Sequence, residues 1–258
     1  MSATKTDQPS DTGPDASWEH ITVWQGVRAA LYALPSHFES DLVISGVLAP
    51  DLFSFNSSLG ATIEEQVVAS LNRLTTVWDP SNRYALYQFE RQAQVFPDVV
   101  LKARAPGLDP SILMGLELKG WYALSKEGEP SYRYKVSPNV CAPADLLVVV
   151  PWALSRGVSG SPKVFKPFVA GARYAAQMRN RYWRDRPAPA KPEITLSSVT
   201  AHYPVKGDPI SDRPAEDAGG NFGRVARSGI MGDYIEDLTK EPLLGIPLAE
   251  WQKFLKRF

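Results

Sequence analysis

Two charged side chains stand two residues apart in an otherwise apolar run, Glu117 and Lys119 within Gly115-Leu116-Glu117-Leu118-Lys119-Gly120. In a β-strand, residues i and i+2 share a face and lie about 6 to 7 Å apart. Glu117 and Lys119 would therefore project together while Leu116 and Leu118 turn into a core. Such a pair is costly to bury unless something compensates it, and a divalent cation with a phosphate would do so. Asp98, in Phe96-Pro97-Asp98-Val99-Val100, precedes Glu117 by 19 residues. A hairpin turning at Pro106-Gly107 would set the two carboxylates side by side. Magnesium takes a few carboxylate oxygens and keeps several waters, which suits Asp98 and Glu117 with the Leu118 carbonyl. Phosphodiester hydrolysis needs an activated water, charge neutralisation at the phosphate and support for the leaving oxygen. A metal on these carboxylates would acidify its water, and Lys119 would stabilise developing negative charge and orient or help deprotonate that water. The competing reading is a Glu–Lys pair on a solvated sheet face.

The elements that must hold these residues follow from periodicity. Residues 112–122 read as a strand, preceded by strands at 84–89 and 96–101. Residues 144–152 contain Leu-Leu-Val-Val-Val, a run of the sort buried on both faces of a sheet. Trp18, Ile21, Trp24, Val27 and Leu31 recur at helical steps over 17–34, and Ile63, Val67, Leu71 and Leu74 do so over 62–74. Residues 165–184 read as one amphipathic helix stopped by Pro187, Pro189 and Pro192, and 248–258 as a closing helix. Residues 41–48 read as a short strand ended by Ala49-Pro50-Asp51, and 204–233 as irregular chain. The order predicts an α/β fold with a mixed central sheet flanked by helices. Residues 1–16, rich in Ser, Thr, Asp and Pro, read as a disordered tail before a single domain spanning 17–258.

Composition narrows the class. The chain has 258 residues, 44% hydrophobic and 22% charged, with formal net charge zero, so it does not coat nucleic acid indiscriminately. The longest apolar run is too short to span a bilayer, and the N-terminus has no basic segment leading into an apolar one. Both features predict a protein without membrane partners. Cys141 is the sole cysteine, which excludes an internal disulfide and a cysteine metal cluster and fits a cytoplasmic setting. His20, His37 and His202 show no metal-ligand spacing and read as structural or surface residues. The aromatics of Trp121-Tyr122 and Tyr132-Arg133-Tyr134-Lys135 could stack on bases, but aromatics beside a sheet read first as core.

With Pro97-Asp98 and Glu117-Leu118-Lys119 in hand, the chain resembles the PD-(D/E)XK nuclease superfamily, which includes many type II restriction endonucleases. This is the only (D/E)-x-Lys in the sequence, and the decoys Pro14-Asp15 and Pro50-Asp51 pair with it less well. The resemblance covers about residues 60–185 and implies a restriction-endonuclease-like core. It implies a Mg2+-dependent endonuclease on double-stranded DNA with catalytic Asp98, Glu117 and Lys119. A further carboxylate on the preceding helix would fall at Glu64 or Glu65. Residues 123–143 show no helix where the family pattern has one. The family's habits imply a homodimer, and a restriction role would add a partner methyltransferase. Repair or recombination nucleases of the same superfamily, and a non-catalytic nucleic-acid-binding protein, are the alternatives.

Between Lys163 and Lys191 eight basic residues face one acid, Asp185. Arg173, Gln177, Asn180 and Arg184 fall at steps of four, three and four, one polar helix face on which Arg could grip phosphates and Gln or Asn read adenine. Arg181, with Arg179 and Arg186, flanks that stripe. It is the candidate DNA-binding face, against the reading of an ordinary solvated one.

Overall fold

The computed structural model describes residues 8–186, 192–217 and 220–257. Its organising element is a long strand whose bounds match the sequence expectation, β3 (Ile112–Tyr122). β1 (Tyr87–Arg91), β2 (Val99–Ala103) and β3 form an antiparallel meander. β4 (Leu146–Leu154) then lies parallel to β3, and all nine of its residues are buried. Its other edge takes β5 (Pro162–Val164) at one end and β6 (Phe168–Gly171) at the other, both antiparallel. The result is a mixed six-stranded sheet. The expected α/β architecture with a mixed central sheet flanked by helices is present.

Two apolar clusters cover the sheet. α1 (Ile21–His37), α2 (Ala49–Arg73) and α3 (Thr75–Trp78) bring Val27, Leu31, Ile63, Val67, Leu71 and Trp78 onto Leu116, Leu118, Leu146 and Val148. The second cluster lies under α4 (Ala172–Arg184), where Ala172, Ala175 and Ala176 meet Leu147, Phe96, Tyr134 and Val225. Leu147 thus leaves the side chains that flank it, as strand alternation demands. Beyond α4, residues 192–217 make an excursion carrying the small pair β7 (Ile194–Thr195) and β8 (Arg213–Pro214). α5 (Gly232–Lys240), the hairpin β9 (Pro242–Leu243) and β10 (Ile246–Pro247), and α6 (Leu248–Leu255) close the chain and add Leu238, Leu243, Leu248 and Leu255 to the first cluster.

Several boundaries differ from the sequence reading. α2 starts at Ala49, not near Thr62, because Pro50 falls in its first turn, where proline costs no hydrogen bond. The strand expected at 41–48 reduces to one bridge, Ile44 to Gly160. The helix expected over 165–184 begins only at Ala172, since Phe168–Gly171 is claimed by the edge of β4 as β6. The tail expected over 1–16 is only partly testable, as residues 1–7 lie outside those described. From Asp11 on the chain lies on the body: Asp11 Oδ1 accepts from the Gly171 N–H at 3.0 Å, Gly13 lies against the Trp24 ring and Pro14 is buried. No described helix is long and apolar enough to cross a membrane.

Candidate active site

The β2–β3 register pairs Val99 with Leu116, which leaves Asp98, one residue before β2, beside Glu117. Glu117 in turn stands opposite Leu147 of β4, on the side facing the α4 cluster. The three expected side chains converge. Lys119 Nζ donates to Asp98 Oδ2 at 2.7 Å and lies 3.3 Å from Glu117 Oε1. Asp98 Oδ2 also accepts from the Leu118 N–H at 3.2 Å, so the main chain of β3 helps aim it. The Glu117 side chain is 11% exposed, against 24% for Lys119 and 33% for Asp98. The cluster is therefore closed at Glu117 and open to solvent on the other two.

Two neighbours fix the cluster's position. Gly115 lies under Pro97, and its N–H donates to Asp145 Oδ1 at 2.8 Å. A methyl group at 115 would overlap the Pro97 ring and press on that carboxylate. Asp145 Oδ2 accepts from Ala142 N–H at 2.7 Å, and Tyr203 Oη donates to Oδ1 at 3.3 Å. Burial raises Asp145 to about 6, against the pull of these donors. Nothing local in the sequence marks Asp145 or Gly115. Their role depends on a β4 partner and on Tyr203, a residue 58 positions away.

From the opposite layer α2 delivers Glu64. Its Oε1 accepts from Gly120 N–H at 3.0 Å, a reach possible because Gly120 packs on the α2 backbone. A methyl at 120 would sit 3.1 Å from the Gly60 carbonyl oxygen. Of the two acids expected on this helix, Glu64 is the one turned to the site, whereas Glu65 is exposed. Helical geometry separates them, since consecutive residues point about 100° apart.

The charges are strongly coupled. Burial, reinforced by the Asp98 charge and opposed by Lys119, pushes Glu117 up to about 7. Burial alone would lower Lys119, but the Glu117 and Asp98 charges outweigh it and hold the ammonium above the ordinary lysine range. Burial likewise raises Glu64, against the Gly120 N–H and the Lys119 charge. In this state Lys119 is a fixed cation, suited to charge stabilisation.

The donor chemistry fits one hard cation. A single ammonium within 2.7 and 3.3 Å of the two carboxylates shows that their oxygens point at a common place. Among the described residues no group of three or more His, Cys, Asp or Glu side chains converges on a metal position. The acids that meet this ammonium are the two carboxylates of Asp98 and Glu117. Glu64 gives one of its two oxygens, Oε1, to the Gly120 N–H.

The expected DNA-binding face is only partly exposed. Asn180 is buried at 3% exposure and donates to Asp212 Oδ2 at 2.9 Å. It belongs to a structural network in which Arg179 Nη2 donates to the same oxygen at 2.6 Å and Nη1 to the Tyr134 and Val136 carbonyls. The excursion at 192–217 lays Asp212 over this part of α4. Asn180 is therefore unavailable to a base. Arg173 Nη2 donates to the Cys141 carbonyl at 2.6 Å, and Arg181 pairs with Asp185. Gln177 and Arg184 remain exposed, and Lys191 lies outside the described residues. Cys141 is buried, which raises its thiol to about 12. His20 is held by Tyr84 at 2.9 Å, as a structural residue would be. Comparison with protein-family models, curated proteins and solved structures returns no significant match to the chain.

Proposed function

We propose that the chain is a magnesium-dependent endonuclease acting on double-stranded DNA, of the PD-(D/E)XK restriction-endonuclease-like kind. The observation that carries this reading is the Lys119 ammonium held between Asp98 and Glu117 at 2.7 and 3.3 Å on adjacent antiparallel strands. Asp98 and Glu117 would hold the ion, with the Leu118 carbonyl as the further oxygen, and Glu64 would add negative potential. Bound magnesium supplies charge neutralisation at the phosphate and a water acidified toward neutrality.

The residues themselves divide the remaining work. Lys119 is charged and partly open to solvent, so a backbone phosphate entering from that side meets a preformed cation. Moving from the carboxylates to the phosphate, it would exchange one anionic partner for another and stabilise the charge that develops as the phosphodiester is cleaved. Gly115, Pro97 and Asp145 hold the Asp98 carboxylate in register with Glu117. Exposed Gln177 and Arg184 on α4, with Arg173 and Arg181 beside them, are the members of the expected face open to DNA, Asn180 being buried. Two-fold symmetric cutting would require a homodimer, and a restriction role a partner methyltransferase.

The test is plasmid incubated with the protein and Mg2+, with and without EDTA. Wild type cuts and EDTA stops it. Lys119→Ala should lose on the order of 10² or more in rate while its circular dichroism and DNA affinity stay unchanged. Cleavage by Lys119→Ala at the wild-type rate would dispose of this site. Discrete fragments from DNA of known sequence would indicate a restriction-type enzyme, and a smear would point to a repair or recombination nuclease.

A further inference from the structure

β3 and β4 are parallel neighbours, yet residues 123–145 between them form no helix. Part of this connection is extended chain pinned on both sides. Arg133 bridges to Arg224, Val136 bridges to Ser211, and Tyr134 N–H donates to the Gly223 carbonyl at 2.8 Å. Arg179 grips the Tyr134 and Val136 carbonyls from α4. The segment therefore lies in one conformation, and it carries two tyrosines two residues apart.

Their hydroxyls differ. Tyr134 Oη is satisfied, 3.3 Å from Cys141 Sγ and donating to the Ala172 carbonyl at 3.2 Å. Tyr132 packs against both apolar clusters, and its Oη is sealed from solvent with no hydrogen-bond partner. Buried hydroxyls are normally paired, so an unpaired one on a pinned segment requires a reason. Tyr132 packs on the α4-side cluster that holds Leu147, the β4 residue opposite Glu117, so its ring lies on the same side of the sheet as that carboxylate. Lys119 serves both carboxylates; Asp98 also accepts from the Leu118 N–H, and Glu117 from the Asp98 N–H. In the free protein Lys119 serves Glu117 at 3.3 Å, and a phosphate would draw that ammonium away.

We propose that Tyr132 is a positioning residue for Glu117: its hydroxyl, idle in the free protein, donates to the Glu117 carboxylate when Lys119 turns to the substrate phosphate. This rests on the metal-dependent reading of the site. A ligating carboxylate is itself hydrogen-bonded in most metal centres, and removing such an outer partner weakens ion binding or activity by about 10- to 100-fold. The connection that departs from the family pattern would thus supply a group that a helix in that place would not.

The experiment compares full-length wild type with Tyr132→Phe in three readouts: Mn2+ affinity by calorimetry in the presence of a phosphorothioate duplex that occupies the site uncut, thermal midpoint without metal, and steady-state cleavage of supercoiled plasmid in Mg2+. The phenylalanine keeps the ring and deletes only the unpaired hydroxyl. The expected result is a thermal midpoint unchanged or raised, Mn2+ affinity about tenfold weaker, and kcat about tenfold lower at unchanged KM. Mn2+ affinity and kcat within about twofold of a metal-binding wild type would overturn the tyrosine assignment alone. A midpoint well below wild type would also overturn it, because the hydroxyl would then be at work in the free protein. Wild type that binds no Mn2+ would bring down the metal reading and this inference together.

Discussion

Glu117→Gln offers a test of the site that needs no substrate. Glu117 titrates at about 7 in the folded protein, against an ordinary value of 4.5, chiefly because it is buried. Between these two values the folded protein holds a proton that the unfolded chain has given up. Stability then falls as pH rises through the window, and the loss is complete above about pH 7. A shift of about 2.5 units at 1.36 kcal/mol per unit puts the loss at about 3 kcal/mol. Glutamine mimics the protonated acid and removes the titration. Asp145, also raised by burial, to about 6, is present in both proteins and cancels from the difference. Urea denaturation of the two proteins across this range should show their stability gap move by about 3 kcal/mol in favour of the glutamine variant from below pH 4.5 to above pH 7. Any constant offset from the altered contact with Lys119 does not matter, since the change with pH is what is read. Mg2+ should stabilise wild type above pH 7 and narrow the gap. A gap constant to within about 0.5 kcal/mol across the window would show that Glu117 is not held in the environment described.

Two further outcomes follow from neighbouring features. Asp212→Ala strips the partner from a guanidinium that is 2% exposed. It should cost about 3 to 5 kcal/mol, or roughly 10 °C in thermal midpoint for a chain of this size, and a midpoint within about 2 °C of wild type would contradict the buried pair. Gly115→Ala forces a methyl against Pro97 and Asp145. It should cost about 1 to 3 kcal/mol and, by shifting Asp98, lower Mg2+-dependent cleavage; full activity in plasmid assays would mean that the Pro97 contact does not position the carboxylate.

The sequence disclosed the centre of the fold better than its margins. β3 was legible to the residue because it is an apolar run that follows the turn at 105–110, and Glu117 and Lys119 converge with Asp98 because the β2–β3 register sets Asp98 beside Glu117. α4 was overextended because Phe165 and Phe168 fall on helical steps with Ala172, a coincidence that edge pairing with β4 overrides. α2 was cut short because Ala49-Pro50-Asp51 has the composition of a turn, although proline is equally at home in a first helical turn. Asn180 looked solvent-facing because its spacing with Arg173, Gln177 and Arg184 is regular. Its burial is caused by Asp212, brought in by a remote excursion that no local pattern announces. Asp145 escaped notice for the same reason, since its partners Gly115 and Tyr203 lie on chain distant in sequence.

The contact of Gly120 with Gly60 has a mechanical consequence. Two peptide backbones that touch directly have no rotamer to yield, so the spacing of helix and strand there is as stiff as the main chain itself. Glu64 rides on that helix and therefore stays at a fixed depth whatever Lys119 does. If, as proposed, the ammonium reaches outward for a substrate phosphate, the Glu64 carboxylate would remain behind it as a restoring force. The lysine would then return once the phosphate departs, with no movement of the scaffold required.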